Sequence, residues 1–101
     1  MSEAVKGIGD VLVRLRAVAD ELGKTAKDLI EADGKLTEIM VDMAKSDAGD
    51  WRIPALLRIG ELTYESLCEI SKSVEAIGLA VKNLEAIRKM MAEAGEEGKK
   101  Q

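Results

Sequence analysis

The sequence predicts an all-α fold, an antiparallel hairpin of two long helices with heptad patterning. Three observations predict it: apolar residues recur at heptad spacing through the first half, the same spacing resumes in the second half, and a cluster of helix-breaking residues lies between.

The first helix is expected over about residues 3–46. With Ile8 as heptad position a, that position recurs at Leu15, Leu22, Leu29, Leu36 and Met43, all apolar. Position d falls on Val11, Val18, Thr25, Ala32 and Ile39. An unbroken run of this length reads as one helix, roughly 60 Å long at about 1.5 Å per residue.

A loop is expected over about residues 47–53. Gly49 there supplies the left-handed backbone that ends a helix, Asp50 is an N-cap, and Pro54 fits the first turn of the next helix, where amide hydrogens lack intrahelical acceptors. The second helix follows over about residues 54–94. Its d positions are Leu56, Thr63, Ile70, Ile77, Leu84 and Met91, and its a positions are Gly60, Leu67, Val74, Val81 and Arg88. The tail over 95–101 carries no pattern and is expected to fray.

A short loop makes the helices antiparallel, which sets a positions of one against d positions of the other. Counting outward from the loop pairs Met43 with Leu56, Ile39 with Gly60 and Leu36 with Thr63, and ends with Val11 against Arg88 and Ile8 against Met91. Arg88 is expected to lay its stem on apolar surface and carry its head to water or Asp10. The same register brings Gly23 near Gly78, a pair that either permits close approach of the helices or is simply tolerated.

Two helices need only a and d, yet further apolar positions flank them. The first helix carries Val5, Leu12, Ala19, Ala26 and Met40 at position e, with Asp33 the exception; the second carries Ile59, Ala80 and Ile87 at position g, with Ala94 and the small Ser66 and Ser73 on the same track. A face this wide implies a partner, either a second copy that completes a four-helix bundle as a homodimer or another helical protein. Asp33 is then a specificity residue, repelling wrong partners or pairing with a base on the right one.

Composition excludes several function classes. The chain is 47% apolar and 34% charged, the balance of a folded domain, and without Phe its core is built from aliphatic side chains. Fifteen basic and nineteen acidic residues are interspersed, so no basic stripe for nucleic acid forms. No membrane span and no cleaved signal are read, and Cys68 is the only cysteine. A cytoplasmic protein is expected, with signal-less secretion left open.

With no histidine, the Ser-His-Asp, Cys-His and Glu-x-x-His arrangements are all lacking, and no catalytic, cofactor-binding or metal-binding residue is assigned. Glu31, Glu38, Glu61, Glu65, Glu69 and Glu75 fall on solvent positions, and the acidic neighbours of Cys68 oppose thiolate formation. Met40, Met43, Met90 and Met91 read as adaptable packing at the two ends of a bundle. Trp51 is either a plug on the helix ends or a loop anchor for a partner.

A hairpin of about a hundred residues with Trp51 in its loop resembles the WXG100 (ESAT-6-like) family of type VII secretion substrates and partners. The run Leu15-Arg16-Ala17-Val18-Ala19-Asp20-Glu21-Leu22 is similar in style. The family's Trp-x-Gly is not intact, because Ile53 stands in place of the glycine, and Tyr64 is followed by Cys68 where the family's C-terminal signal has an acid. The resemblance carries over Trp51 alone. The expected function is a non-catalytic interaction or scaffold module, with a WXG100-like secretion partner and a small phage or mobile-element inhibitor of a host protein as alternatives.

Overall fold

The computed structural model describes the backbone of residues 3–100 and the side chains of residues 3–95. It is an all-α helical hairpin: α1 (Glu3–Ser46) and α2 (Arg52–Lys100) pack against each other, with no strand among the described residues. The helix α2 begins before Pro54 and continues past Ala94 through the segment expected to fray, so the Glu and Lys content there outweighs Gly95 and Gly98. Gln101 lies outside the described residues.

The turn between the helices is set by two aspartates. The Asp47 amide donates to the Met43 carbonyl at 2.8 Å, Asp47 Oδ1 accepts the Gly49 amide at 3.0 Å, and the Asp47 carbonyl accepts the Asp50 amide at 3.1 Å. This Asx turn ends α1 without the left-handed glycine expected at Gly49, since no described glycine has positive φ. Asp50 then caps α2, its Oδ1 accepting the Arg52 amide at 2.9 Å. The Ile53 amide reaches the Asp50 carbonyl at 3.1 Å, an acceptor that Pro54, having no N–H, leaves open.

The chain divides into two compact units, Met1–Glu21 with Ser73–Gln101 (the terminal unit) and Leu22–Lys72 (the loop unit). In the terminal unit Leu12 is fully buried and Val5 is 8% exposed. Ile8, Leu15 and Ala19 of α1 and Val74, Ile77, Val81, Leu84 and Met91 of α2 are half-buried around them. In the loop unit no residue is fully buried; Leu22, Ala26, Leu29, Asp33, Leu36, Met40 and Met43 of α1 and Ile53, Leu56, Gly60, Thr63, Leu67 and Ile70 of α2 are half-buried.

The inward residues of α2 are its expected a and d positions, Arg88 excepted. Those of α1 are a and e, which corrects the a and d reading. Val11, Val18, Thr25, Ala32 and Ile39 are exposed, whereas Val5, Leu12, Ala19, Ala26 and Met40 turn inward. Positions d and e flank a at about 51° on either side in a 3.5-residue repeat, so α1 is rotated by roughly 50° from the expected setting.

The physical reason lies in the tracks beside these positions. An a/d seam in α1 is bordered by position g, occupied by Gly7 and then by Arg14, Glu21, Asp28, Lys35 and Asp42. An a/e seam is bordered instead by d and by position b, which holds Gly9, Arg16, Gly23, Ile30, Thr37 and Ala44. Turning toward e leaves the charged g track in water.

The register changes accordingly. A Cβ on Gly60 would lie 3.6 Å from Asp33 Oδ1 and 3.8 Å from Leu36 Cδ2, so Gly60 faces these residues rather than Ile39. Arg88 Nη1 lies 3.4 Å from where a Cβ on Gly9 would sit, placing Arg88 against Gly9 rather than Val11. A methyl group on Gly23 or on Gly78 would meet nothing within 4 Å, so neither glycine serves a close approach.

Candidate functional site

The surface beside each seam is the candidate site, and helical geometry sorts it into two sides. In the terminal unit, Arg16 at position b of α1 forms an ion pair with Glu85 at position e of α2. These two tracks therefore share one side, and the d track of α1 and g track of α2 share the other. On that other side lie Val11 and Val18 beside Ala80 and Ile87; Val11 is 46% exposed, Val18 48% and Ile87 44%.

The loop unit repeats the arrangement. Thr37 of α1 and Leu57 and Tyr64 of α2 line one cleft, on the side of the b and e tracks. The opposite side carries Ala32 and Ile39 from α1 and Ile59 and Ser66 from α2, with Arg52, at the first residue of α2, the one charge on its flanking tracks among the described residues. Ile39 and Ile59 are both half exposed.

Of the residues expected at a partner face, Ile59, Ala80 and Ile87 stand in water. The structure moves the remainder. Val5 and Leu12 are buried inside the chain, and Ala19, Ala26 and Met40 are half-buried in the seams, so they pack α1 on α2. The face that is left open belongs to Val11, Val18, Ala32 and Ile39, which sequence reasoning had placed inside; the run of charge on the g track of α1 from Arg14 onward was the signal that could have found them.

Trp51 is 78% exposed, which overturns the plug and leaves an aromatic ring in solvent at the hairpin turn. Tyr64 is 67% exposed and Met90 61%, so Met90 does not join Met40, Met43 and Met91 in packing. Cys68 is half-buried and free.

Two clefts open on the b and e side. In the loop unit a cleft of about 470 Å³ forms where Gly60 has no side chain to fill it. Met40, Leu57 and Tyr64 give it apolar walls, and Asp33, Glu61 and Glu65 line it with carboxylates. Arg58 Nη1 donates to Glu61 Oε2 at 3.0 Å. In the terminal unit a cleft of about 730 Å³ is lined by Val5, Gly9 and Ala92 with Lys6, Arg88 and Lys89 and a single acid, Glu85.

The strongest local electrostatics belong to the turn. Arg52 Nε donates to Asp50 Oδ1 at 3.0 Å and Nη2 to Oδ2 at 2.6 Å. These guanidinium bonds, with the Arg52 amide second, hold the Asp50 carboxyl at about 2, below its ordinary 3.8. The clamp fixes the start of α2 and is structural. Glu31, Glu38, Glu61, Glu65, Glu69 and Glu75 are all exposed. No helix among the described residues is long and apolar enough to cross a membrane, and no family model, curated protein or solved structure matches the chain.

Proposed function

We propose that the chain is a non-catalytic helical interaction module that associates, with a second copy or with another helical protein, through the apolar side of its seams. A second copy is the economical choice, because a twofold axis makes one apolar face cover its like and closes a four-helix bundle.

The observation that carries this reading is the amount of surface left uncovered. The chain exposes 7748 Å², and only Val5 and Leu12 among its described residues are buried. A folded monomer of 10.9 kDa is expected to expose roughly 5,600 Å². The excess, roughly 2,100 Å², is more than twice the roughly 800 Å² each partner contributes to a standard interface.

Sedimentation equilibrium across the micromolar range tests the reading. A mass of twice the chain, falling toward that of a single chain on dilution, is the expected result. A stable, folded monomer at all concentrations sinks it.

Trp51 favours a second reading, a WXG100-like secretion substrate or partner, in which the exposed indole at the turn is a recognition point. Export that depends on a type VII system and is lost in Trp51→Ala would support it. Unchanged export in the variant would remove Trp51 from that role.

A further inference from the structure

We propose that the occupant of the apolar side is a second copy of this chain, laid antiparallel with its turn at the opposite end, so that α1 lies on the partner's α1 and α2 on the partner's α2. This rests on the self-association reading and deepens it by fixing the orientation and register of the two copies.

The order of charges on α1 carries the assignment. Beside the exposed d track of Val11, Val18, Thr25, Ala32 and Ile39 runs the g track, where Arg14, Glu21, Asp28, Lys35 and Asp42 are likewise exposed. When two identical helices pair antiparallel, their flanking g tracks run against each other in reverse order. Reversed about Asp28, this series is its own complement. Arg14 stands against the partner's Asp42 and Glu21 against the partner's Lys35, and the twofold axis repeats both pairs. Among the described residues Arg14, Lys35 and Asp42 make no ion pair within the chain, so a single copy leaves their charges unmatched.

Other registers bring like charges together. A slip of one heptad in one direction sets Arg14 against the partner's Lys35 and Glu21 against the partner's Asp28. The opposite slip sets Glu21 against the partner's Asp42, with only Asp28 and the partner's Lys35 in exchange. Charge at the rim of an interface selects orientation and register more than it adds affinity, and the apolar tracks supply the burial. In the matched register Val18 meets the partner's Ile39 and Thr25 meets the partner's Ala32.

Turns at the same end would instead set the g track of α1 against the c track of the partner's α2. That track holds Ala55, Leu62, Glu69, Ala76, Asn83 and Met90, and its single charge, Glu69, already pairs with Lys72 at 3.5 Å. The charges of α1 would find no counterpart there.

Side-chain size on α2 points to the same axis independently. Antiparallel pairing centred on Glu69 sets Ile59 against the partner's Ala80, Leu62 against the partner's Ala76 and Ser66 against the partner's Ser73, so large residues meet small ones. Gly60 faces Asp33 and Leu36 in the loop unit, which puts Glu69 level with residues 24–27 of α1, beside Asp28. Charge on one helix and size on the other thus choose one level for the axis. Asp28 is the g residue that meets its own copy, at the rim, where water and salt screen the repulsion. The surface available suffices, since the excess of roughly 2,100 Å² on each chain exceeds the roughly 800 Å² that each copy gives to a standard interface.

Charge exchange on the full chain tests the register by sedimentation equilibrium. Arg14→Asp should weaken the dimer several-fold, and so should Asp42→Arg, whereas the chain carrying both should regain the dissociation constant of the parent. Circular dichroism checks that helix content is unchanged at these exposed sites. Asp28→Asn should tighten the dimer.

Spin labels attached through Asp28→Cys or, separately, Trp51→Cys, each in a Cys68→Ser background, read the orientation. Labels at Asp28 should lie near each other, across helix axes about 10 Å apart. Labels at Trp51 should be roughly 50 Å apart or more, since residues 28–46 alone carry each copy about 27 Å from the axis. Nearby Trp51 labels, or a doubly exchanged chain no tighter than the single variants, overturns this arrangement and leaves self-association standing. A chain that stays monomeric overturns both. One that is monomeric alone and pairs with a different helical protein removes the second copy and keeps the interaction module.

Discussion

Leu12 is fully buried, whereas Val11, the residue before it, exposes 46% of its surface. One step along α1 thus separates the interior of the chain from the exposed face proposed for a partner. Leu12→Ala should destabilise the fold by about 3 kcal/mol, in the range for a buried leucine, and Leu12→Asp should abolish helix content altogether. Val11→Asp or Ile87→Asp should instead lower the associated mass while the isolated chain keeps its helix-forming seam. Circular dichroism and sedimentation, read together on the same samples, separate the two effects. Equal behaviour of the Leu12 and Val11 variants would contradict the rotation of α1.

The open space at Gly23, Gly34 and Gly78 predicts stabilisation. Alanine at each meets nothing within 4 Å and removes the conformational freedom of a helical glycine, so each substitution should add about 1 kcal/mol in urea denaturation. A loss at Gly78 would place that position under a partner instead.

Trp51 should be dispensable for the fold. A side chain 78% exposed contributes little packing, and Trp51→Ala should change stability by less than about 0.5 kcal/mol. A larger loss would restore the plug.

Acid should weaken the turn. The Asp50 carboxyl is depressed to about 2 in the folded chain against an ordinary value of 3.8, so its contribution is present above about pH 4 and is lost as pH falls from there through about 2. Asp50→Asn keeps a cap but removes the titration, and the thermal midpoint of this variant should fall less than that of the parent between pH 4 and pH 2. Parallel loss in both proteins would mean that other carboxylates set the acid limb.

The hairpin and its turn were legible because Asp47, Gly49, Asp50 and Pro54 interrupt an otherwise continuous apolar repeat. The facing of α2 was legible as well, since its a and d positions have no apolar rival of equal length. In α1 both d and e are apolar, and counting hydrophobes cannot choose between Val11 and Leu12. The choice is made by charge one position further round, where Arg14, Glu21, Asp28, Lys35 and Asp42 resist approach to a second helix. The candidate face therefore kept Ile59, Ala80 and Ile87 and exchanged its α1 half. Asp33 was visible as an anomaly on an apolar track, but the recess beside it depends on Gly60 of the other helix, a pairing that only the register reveals.

Both aromatic side chains of the protein lie outside, Trp51 78% and Tyr64 67% exposed. The interior is therefore optically blank. Indole emission should be that of a solvated chromophore in the folded chain and shift little on unfolding, so fluorescence melts would report almost nothing of the core. The same arrangement places one reporter at the hairpin turn and a second beside the acidic cleft. A blue shift on mixing with another molecule would then mark contact at the turn rather than a change in folding.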